Sequence, residues 1–379
     1  MPSYSGIWTL QAQMQAEAAG NWPKPPVGLF SWGQNNLGQL GHNDTVYRSS
    51  PAQVGAVSTW SKISSGTQFS LSIKADGTLW SWGYNNNLGA LGLGDKINRS
   101  SPVQVGALTG WYQIAAGGTF GLAIKTNGTL WSWGDGRAGR LGHNDGVYRS
   151  SPVQVGALTT WYQIAAQNES SFAIKTDGTL WSWGDNSFGR LGLGDTASRS
   201  SPVQIGALTT WSMIAGGGIH SLAIKTDGTL WSLGGYNGNG QLGLNDTVNR
   251  SSPVQIGALT TWYQISSANQ HSIAVKTDGT LWSWGTNSYG RLGLNDTANR
   301  SSPVQVGALT TWSQIAGGSN FSCAIKTDGT FWGWGRNNNG QLGLNDTANR
   351  SSPVQVGSLT AWLTLSKMPM SQSPLAIKG

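Results

Sequence analysis

A chain of 379 residues is too long for one ordinary hydrophobic core, so it must hold several domains or a modular array. Its 55 glycines and 21 tryptophans beside a charged fraction of 10% suit short strands and tight turns and argue against long helices. The formal charge of +7 is spread through repeated segments with no basic run, which argues against nucleic acid as a partner, and the single cysteine, Cys323, leaves no internal disulfide and no thiolate zinc cluster.

Residues 1–28 stand apart from the rest. A short helix is expected from about Leu10 to Ala19, with Thr9 as cap, Leu10, Met14 and Ala18 on one face and Gly20 as terminator. Trp8 and Trp22 flank it, and Pro23, Pro25 and Pro26 make a stiff, extended connection into the first strand. The segment lacks the basic start and continuous apolar stretch of a secretion signal, and no stretch is expected to insert into a bilayer. Trp8, Leu10, Met14 and Trp22 are its candidate anchoring residues.

From residue 29 to 379 the chain is periodic. Close copies of Leu-Trp-Ser-Trp-Gly begin at Leu29, Leu79, Leu130, Leu180, Leu230, Leu281 and Phe331, an interval that signals a propeller or solenoid. Before most copies stands Leu-Ala-Ile-Lys-Thr-Asp-Gly-Thr, a β-hairpin whose Asp-Gly pair supplies the positive-φ turn. Intact turns occur at Gly77, Gly128, Gly178, Gly228, Gly279 and Gly329. The seventh hairpin is split: Leu375-Ala376-Ile377-Lys378 ends the chain, and its missing partner, Leu29-Phe30-Ser31-Trp32, lies at the other end. Pairing the two would close a ring and cover both strand edges. The expected fold is therefore all-β, a seven-bladed β-propeller closed by its N- and C-terminal strands, with a short helical or extended segment in front. Cys323 replaces a strand Leu and is expected to be buried.

Each repeat continues through a loop such as Asp185-Asn186-Ser187-Phe188-Gly189-Arg190 to Asp195 and Arg199-Ser200-Ser201-Pro202, then to two further short strands that complete a four-stranded blade. An Asp and an Arg four apart recur in every copy. Repetition in all copies speaks for loop geometry, since a catalytic pair is needed once.

This pattern, with Trp284-Gly285-Thr286-Asn287, Arg291-Leu292-Gly293, Ser302-Pro303 and Gly217-Gly218-Ile219-His220 as its marks, resembles the regulator-of-chromosome-condensation repeat family. The resemblance implies a seven-bladed propeller; it leaves function open, because members serve as exchange factors, ubiquitin-ligase modules, a photoreceptor and an enzyme inhibitor. The family's usual His is kept only at His220 and His271, with Phe69, Phe120, Phe321, Ser170 and Ser373 elsewhere, and neither a long wedge-like insertion nor a Gly-Trp-Arg-His-Thr series is present. The leader Gly6-Ile7-Trp8 with Gly20-Asn21-Trp22-Pro23 resembles the start of structural and adhesin proteins of marine tailed phages. That second resemblance implies a virion protein, assembled in the host cytoplasm and seated on other virion proteins through residues 1–28.

No catalytic constellation separates from the repeat background, so neither an enzyme nor a cofactor is expected. Hairpin direction places the segment entering the Leu-Ala-Ile strand and the segment leaving the Trp-Ser-Trp strand at one end, opposite the turn. Those two segments are the variable ones. They single out Tyr84, Arg137, Phe188, Tyr236, Tyr289, Arg336, His220 and His271 as candidate partner-binding residues, aromatics and hydrogen-bonding groups suited to a host-surface protein or glycan. The expected function is a non-enzymatic phage accessory protein or adhesin; the alternative is a cellular interaction scaffold or protein inhibitor of the same repeat family.

Overall fold

Each Leu-Ala-Ile-Lys segment folds back on the tryptophan strand that comes after it. His220–Lys225 pairs antiparallel with Leu230–Gly235, setting Leu222 opposite Ser232, Ala223 opposite Trp231 and Ile224 opposite Leu230. Asp227 fixes the turn by accepting from the backbone and hydroxyl of Thr229, at 2.9 and 2.6 Å. Gly228 takes φ +76, and a Cβ there would stand 2.1 Å from the Thr260 carbonyl, so glycine is required twice over.

This is a computed structural model, and it describes residues 27–85, 87–367 and 370–379. Trp8, Leu10, Met14 and Trp22, with the helix expected around them, lie outside the described residues. Seven four-stranded antiparallel sheets result. Blades 1 to 6 span 60–104, 111–154, 161–204, 211–255, 262–305 and 312–355, and blade 7 joins 362–378 to 28–53. In each blade the strand headed by Trp60, Trp111, Trp161, Trp211, Trp262, Trp312 or Trp362 is innermost, and the Arg-Ser-Ser-Pro strand is outermost. Small residues, Ala115, Ala116, Ala165, Ala166 and Ala215 among them, let the inner strands converge on an axial cavity of 470 Å³.

Blade 7 bears out the split hairpin. Gly28 lies opposite Lys378, Leu29 opposite Ile377, Phe30 opposite Ala376 and Ser31 opposite Leu375. Two strands from the start of the chain and two from its end share one sheet, so neither terminal strand is left as an edge there.

Neighbouring blades are joined by the second tryptophan of each Trp-Ser-Trp strand. Alternation sends it between the sheets, where Trp32, Trp82, Trp133, Trp183 and Trp284 are fully buried. There each indole donates to a carbonyl of the preceding blade: Trp133 to Ala90 at 2.9 Å, Trp183 to Arg140 and Trp284 to Gln241 at 3.0 Å. Truncating one of these rings would cost about 3–5 kcal/mol. Blade 6 buries Trp334 with its Nε1 unpartnered among the described residues, and blade 4 departs further from the rule. It carries Leu233 in the tryptophan's place, a glycine pair at Gly234 and Gly235, and an outer strand cut to Val254–Gln255. Cys323 is buried as expected, and burial pushes its thiol pKa up.

Candidate recognition face

The two ends of a blade are built differently. At the turn end, the hairpin lysine lies over two tryptophan rings: Lys225 is 3.5 Å from the Trp231 centroid and 5.1 Å from Trp211, and the arrangement recurs at Lys74, Lys175, Lys276 and Lys326. Each such pair of rings meets edge to face. This end is nearly the same from blade to blade.

At the opposite end the two variable segments are stitched to each other. The first residue after the Trp-Gly of blades 1, 2, 3, 5 and 6, and after the glycine pair of blade 4, donates its N–H to the carbonyl of the residue preceding the second strand: Tyr84 to Gln68, Asp135 to Thr119, Asp185 to Glu169, Tyr236 to Ile219, Thr286 to Gln270 and Arg336 to Asn320, at 2.9–3.2 Å. Both variable segments therefore form one rim. A repeated brace holds it up. The buried Asn287 accepts from Leu292 N–H at 2.9 Å and donates to the Asp296 carboxylate at 2.8 Å, and Asp296 in turn pairs with Arg300 at 2.5 Å. All seven Asp and Arg residues four apart form such ion pairs, the loop role expected of them. The hydrogen bond from Arg48 holds Asp44 at about 2, and Arg149 does the same for Asp145.

Above the brace six of the seven rim loops fall into two classes, set by one residue; the loop of blade 1 carries Ala90 there and belongs to neither. Where Gln39, Gln241 or Gln341 precedes the Leu-Gly pair, its side-chain oxygen accepts the N–H of Leu37, Asn239 or Asn339. Where Arg140, Arg190 or Arg291 stands there, Nε donates instead to the carbonyl of Arg137, Ser187 or Ser288 at 2.9–3.1 Å. The chain then forms a short 3-10 turn, and the residue at its centre is left-handed: Ala138 at φ +54, Phe188 at +64 and Tyr289 at +65. An aromatic residue in that conformation is strained. Phe188 and Tyr289 are also 48% and 43% exposed.

Two of the remaining candidates lie against those rings. The Tyr236 ring meets Phe188 edge-on across a blade boundary, centroids 5.5 Å apart, and the Arg336 guanidinium lies 5.3 Å from the Tyr289 centroid. Arg137 is exposed and bonds Asp135 at 2.6 Å; Tyr84 is half-buried on the same rim. Burial pushes the Asp135 carboxyl up, but the Arg137 donors and the charge of Arg140 outweigh it and leave it below the usual range.

His220 and His271 do not belong on this surface. Both rings are fully buried, because the first residue of the second strand points between blades. His220 Nε2 lies 2.8 Å from Ser272 and 2.9 Å from Ser267, and His271 Nε2 lies 2.8 Å from Ser322. Burial lowers His220 to about 3. Phe69, Phe120 and Phe321 begin the same strand elsewhere, also buried.

The sequence reading missed the class-setting arginines. Arg140, Arg190 and Arg291 are 3–5% exposed, and two of the three have acids beside them. Arg140 pairs with Asp135 at 3.2 Å and Glu169 at 3.4 Å, and Arg190 with Asp185 at 3.3 Å. Their signal was the alternation of Gly-Arg-Leu with Gly-Gln-Leu at a fixed place in the repeat. Among the described residues no group of three or more His, Cys, Asp or Glu could hold a metal ion, and no helix is long and apolar enough to cross a membrane.

The family model for the RCC1-like domain matches residues 28–262 and 158–366. The chain belongs to the RCC1-like domain family. As an RCC1-like propeller it superposes on human WBSCR16 with a TM-score of 0.82 at 19% identity, covering 93% of this chain and 99% of that one. Yeast RCC1 (Prp20), solved bound to Kap60, gives 0.82 at 19% identity over 93% and 89%. Among curated relatives, human E3 ubiquitin-protein ligase HERC2 is 36% identical over 121 residues, 29% of this chain and 2% of HERC2. The ultraviolet-B receptor UVR8 of Arabidopsis thaliana is 33% identical over 115 residues, 29% of this chain and 26% of UVR8.

Proposed function

We propose that this RCC1-like propeller is a non-enzymatic recognition module that binds a protein partner through the rim carrying Tyr84, Arg137, Phe188, Tyr236, Tyr289 and Arg336. The observation that carries the reading is the pair of exposed aromatics, Phe188 and Tyr289, held at positive φ. Ala138 takes the same backbone angle, so the turn sets the strain, and what Phe188 and Tyr289 add to it is an exposed aromatic ring of the kind that anchors protein interfaces. Relatives that are ligase modules, and yeast RCC1 crystallised with Kap60, support protein binding as the class of activity.

A photo-crosslinking residue placed at Phe188 or Tyr236 should give protein adducts in the source cell, and one placed at Asp227 on the turn end should give none. Equal labelling from both ends would overturn the reading. A second reading, the phage accessory protein or adhesin, is favoured by the Gly-x-Trp frame of residues 1–28 alone. In it Trp8, Leu10, Met14 and Trp22 seat the chain on other virion proteins, and the same rim meets a host-surface protein or glycan. Copurification with particles that is lost on deleting residues 1–28 would support it, and copurification unaffected by that deletion would count against it.

A further inference from the structure

Arg291 has the surroundings of Arg140 with the acids removed. It is 3% exposed, its Nε bonds Ser288 at 3.0 Å, and its Nη1 has no acceptor among the described residues. Two neighbours share that condition: Thr286 Oγ1 and Arg336 Nε are buried and without a partner among the described residues. The repeat makes the comparison residue by residue. The rim backbone bonds align Thr286 with Asp135 in the arginine's own blade, and Asn320 with Glu169 and Arg336 with Asp185 in the next blade. Around Arg140 the first two of those positions supply its carboxylate contacts, at 3.2 and 3.4 Å. Around Arg291 the three positions hold a hydroxyl, an amide and a second guanidinium. Burial, and then the charge of Arg336, push Arg291 down to about 10, with Tyr289 acting in the opposite direction.

We propose that Arg291, Arg336 and Thr286 form a carboxylate-binding site, taking an Asp or Glu side chain from an acidic segment of a partner protein on the open side from which Glu169 reaches Arg140. The inference rests on the rim being a recognition face and narrows its partner to an acidic one. A carboxylate is the fitting ligand because the chain itself places carboxylates against two equivalent arginines, and the Thr286 hydroxyl adds a donor where those blades have an acid. Tyr289, stacked near Arg336, holds the second guanidinium at the edge of the site. An extended polyphosphate chain is disfavoured, since the same rim carries Asp135, Glu169 and Asp185 on its other side.

The test titrates the full chain into a fluorescein-labelled hexaglutamate peptide and monitors anisotropy. Thr286→Asp, which supplies the carboxylate from within, should weaken binding about tenfold or more and raise the midpoint of thermal unfolding. Arg336→Asp should weaken binding by at least as much, while Lys225→Met, which removes a positive charge at the turn end, should leave it unchanged. Absence of binding by the wild type, or wild-type binding by Thr286→Asp, overturns the site. Displacement of the peptide by equimolar inorganic phosphate, or by a single-stranded oligonucleotide, overturns the assignment to a carboxylate. With the crosslinking residue moved to Tyr84, Phe188→Ala with Tyr236→Ala tests the rim separately: loss of crosslinked partner in that variant but not in Thr286→Asp would sink the carboxylate site and leave the recognition face standing.

Discussion

Arg140 and Arg291 occupy one position in two blades and make the same backbone bond, yet they keep opposite company. Each donates Nε to the carbonyl three residues earlier and sets the same 3-10 turn. One then meets Asp135 and Glu169; the other has Thr286 at the position of Asp135 and the charge of Arg336 nearby. The fold thus asks only for the Nε bond, and the carboxylates are a separate variable laid over it. Replacing Asp135 by Ala would break the comparison most severely. It strips the buried partner from a guanidinium 4% exposed, and unfolding in urea should show a loss of about 3–5 kcal/mol. Thr286→Ala removes an unpartnered hydroxyl from the matching position and should change stability by under about 0.5 kcal/mol. Equal costs at the two sites would mean that Asp135 is a packing residue and no ion partner.

The same logic applies one layer deeper, at the start of the second strand, where blade 4 buries His220 and blade 2 buries Phe120. The folded protein holds His220 at about 3, against an ordinary value of 6.5. The unfolded chain therefore binds a proton that the folded chain refuses. Stability is full above pH 6.5 and falls as the pH drops toward 3. His220→Phe should flatten that decline and gain on the order of 2 kcal/mol relative to wild type near pH 4, although it removes the imidazole partner of Ser267 and Ser272, each of which keeps its bond to a backbone carbonyl. Parallel pH–stability curves for the two proteins would refute the assignment of a neutral, buried imidazole.

On the rim, Phe188 and Tyr289 differ from Ala138 in size but share its backbone angle. Tyr289→Gly relieves the left-handed strain and should stabilise the chain by about 0.5–1 kcal/mol, less whatever is lost with the Arg336 contact. If the ring is there for a partner, the more stable variant binds less well. A stabilised variant with undiminished binding would separate the strain from recognition.

Much of this was legible in the sequence because repetition averages out local ambiguity. The Asp-Gly turns, the split hairpin at Leu375 and Leu29, and the shared end of the variable loops are all consequences of strand period and direction, and each is borne out by the pairing. What was not legible depends on contacts between blades. His220 reads as a loop-edge residue from its place at a strand start, and only the packing of the next blade shows it enclosed. The roles of Arg140 and Arg291 are set by residues about thirty and forty-five positions away, at Glu169 and Arg336, a spacing invisible until the ring is closed.

The turn end provides the mildest contrast, between two copies that differ there at Asn127 against Asp227 and at Gly110 against Thr210. Lys225 sits 3.5 Å from the Trp231 centroid, but Lys125 lies 5.6 Å from Trp131 and 5.3 Å from Trp111. A cation–π contact weakens with that separation, and at this half-exposed end it contributes about 0.5–1 kcal/mol at best. Lys225→Met should therefore cost about 0.5 kcal/mol and Lys125→Met less, a difference that paired urea titrations can resolve only with replicate midpoints. Methionine keeps most of the apolar stem over the rings, so the change isolates the charge. If the two variants lose the same stability, the lysines act through their stems, and the uniform end is held in form by tryptophan packing alone.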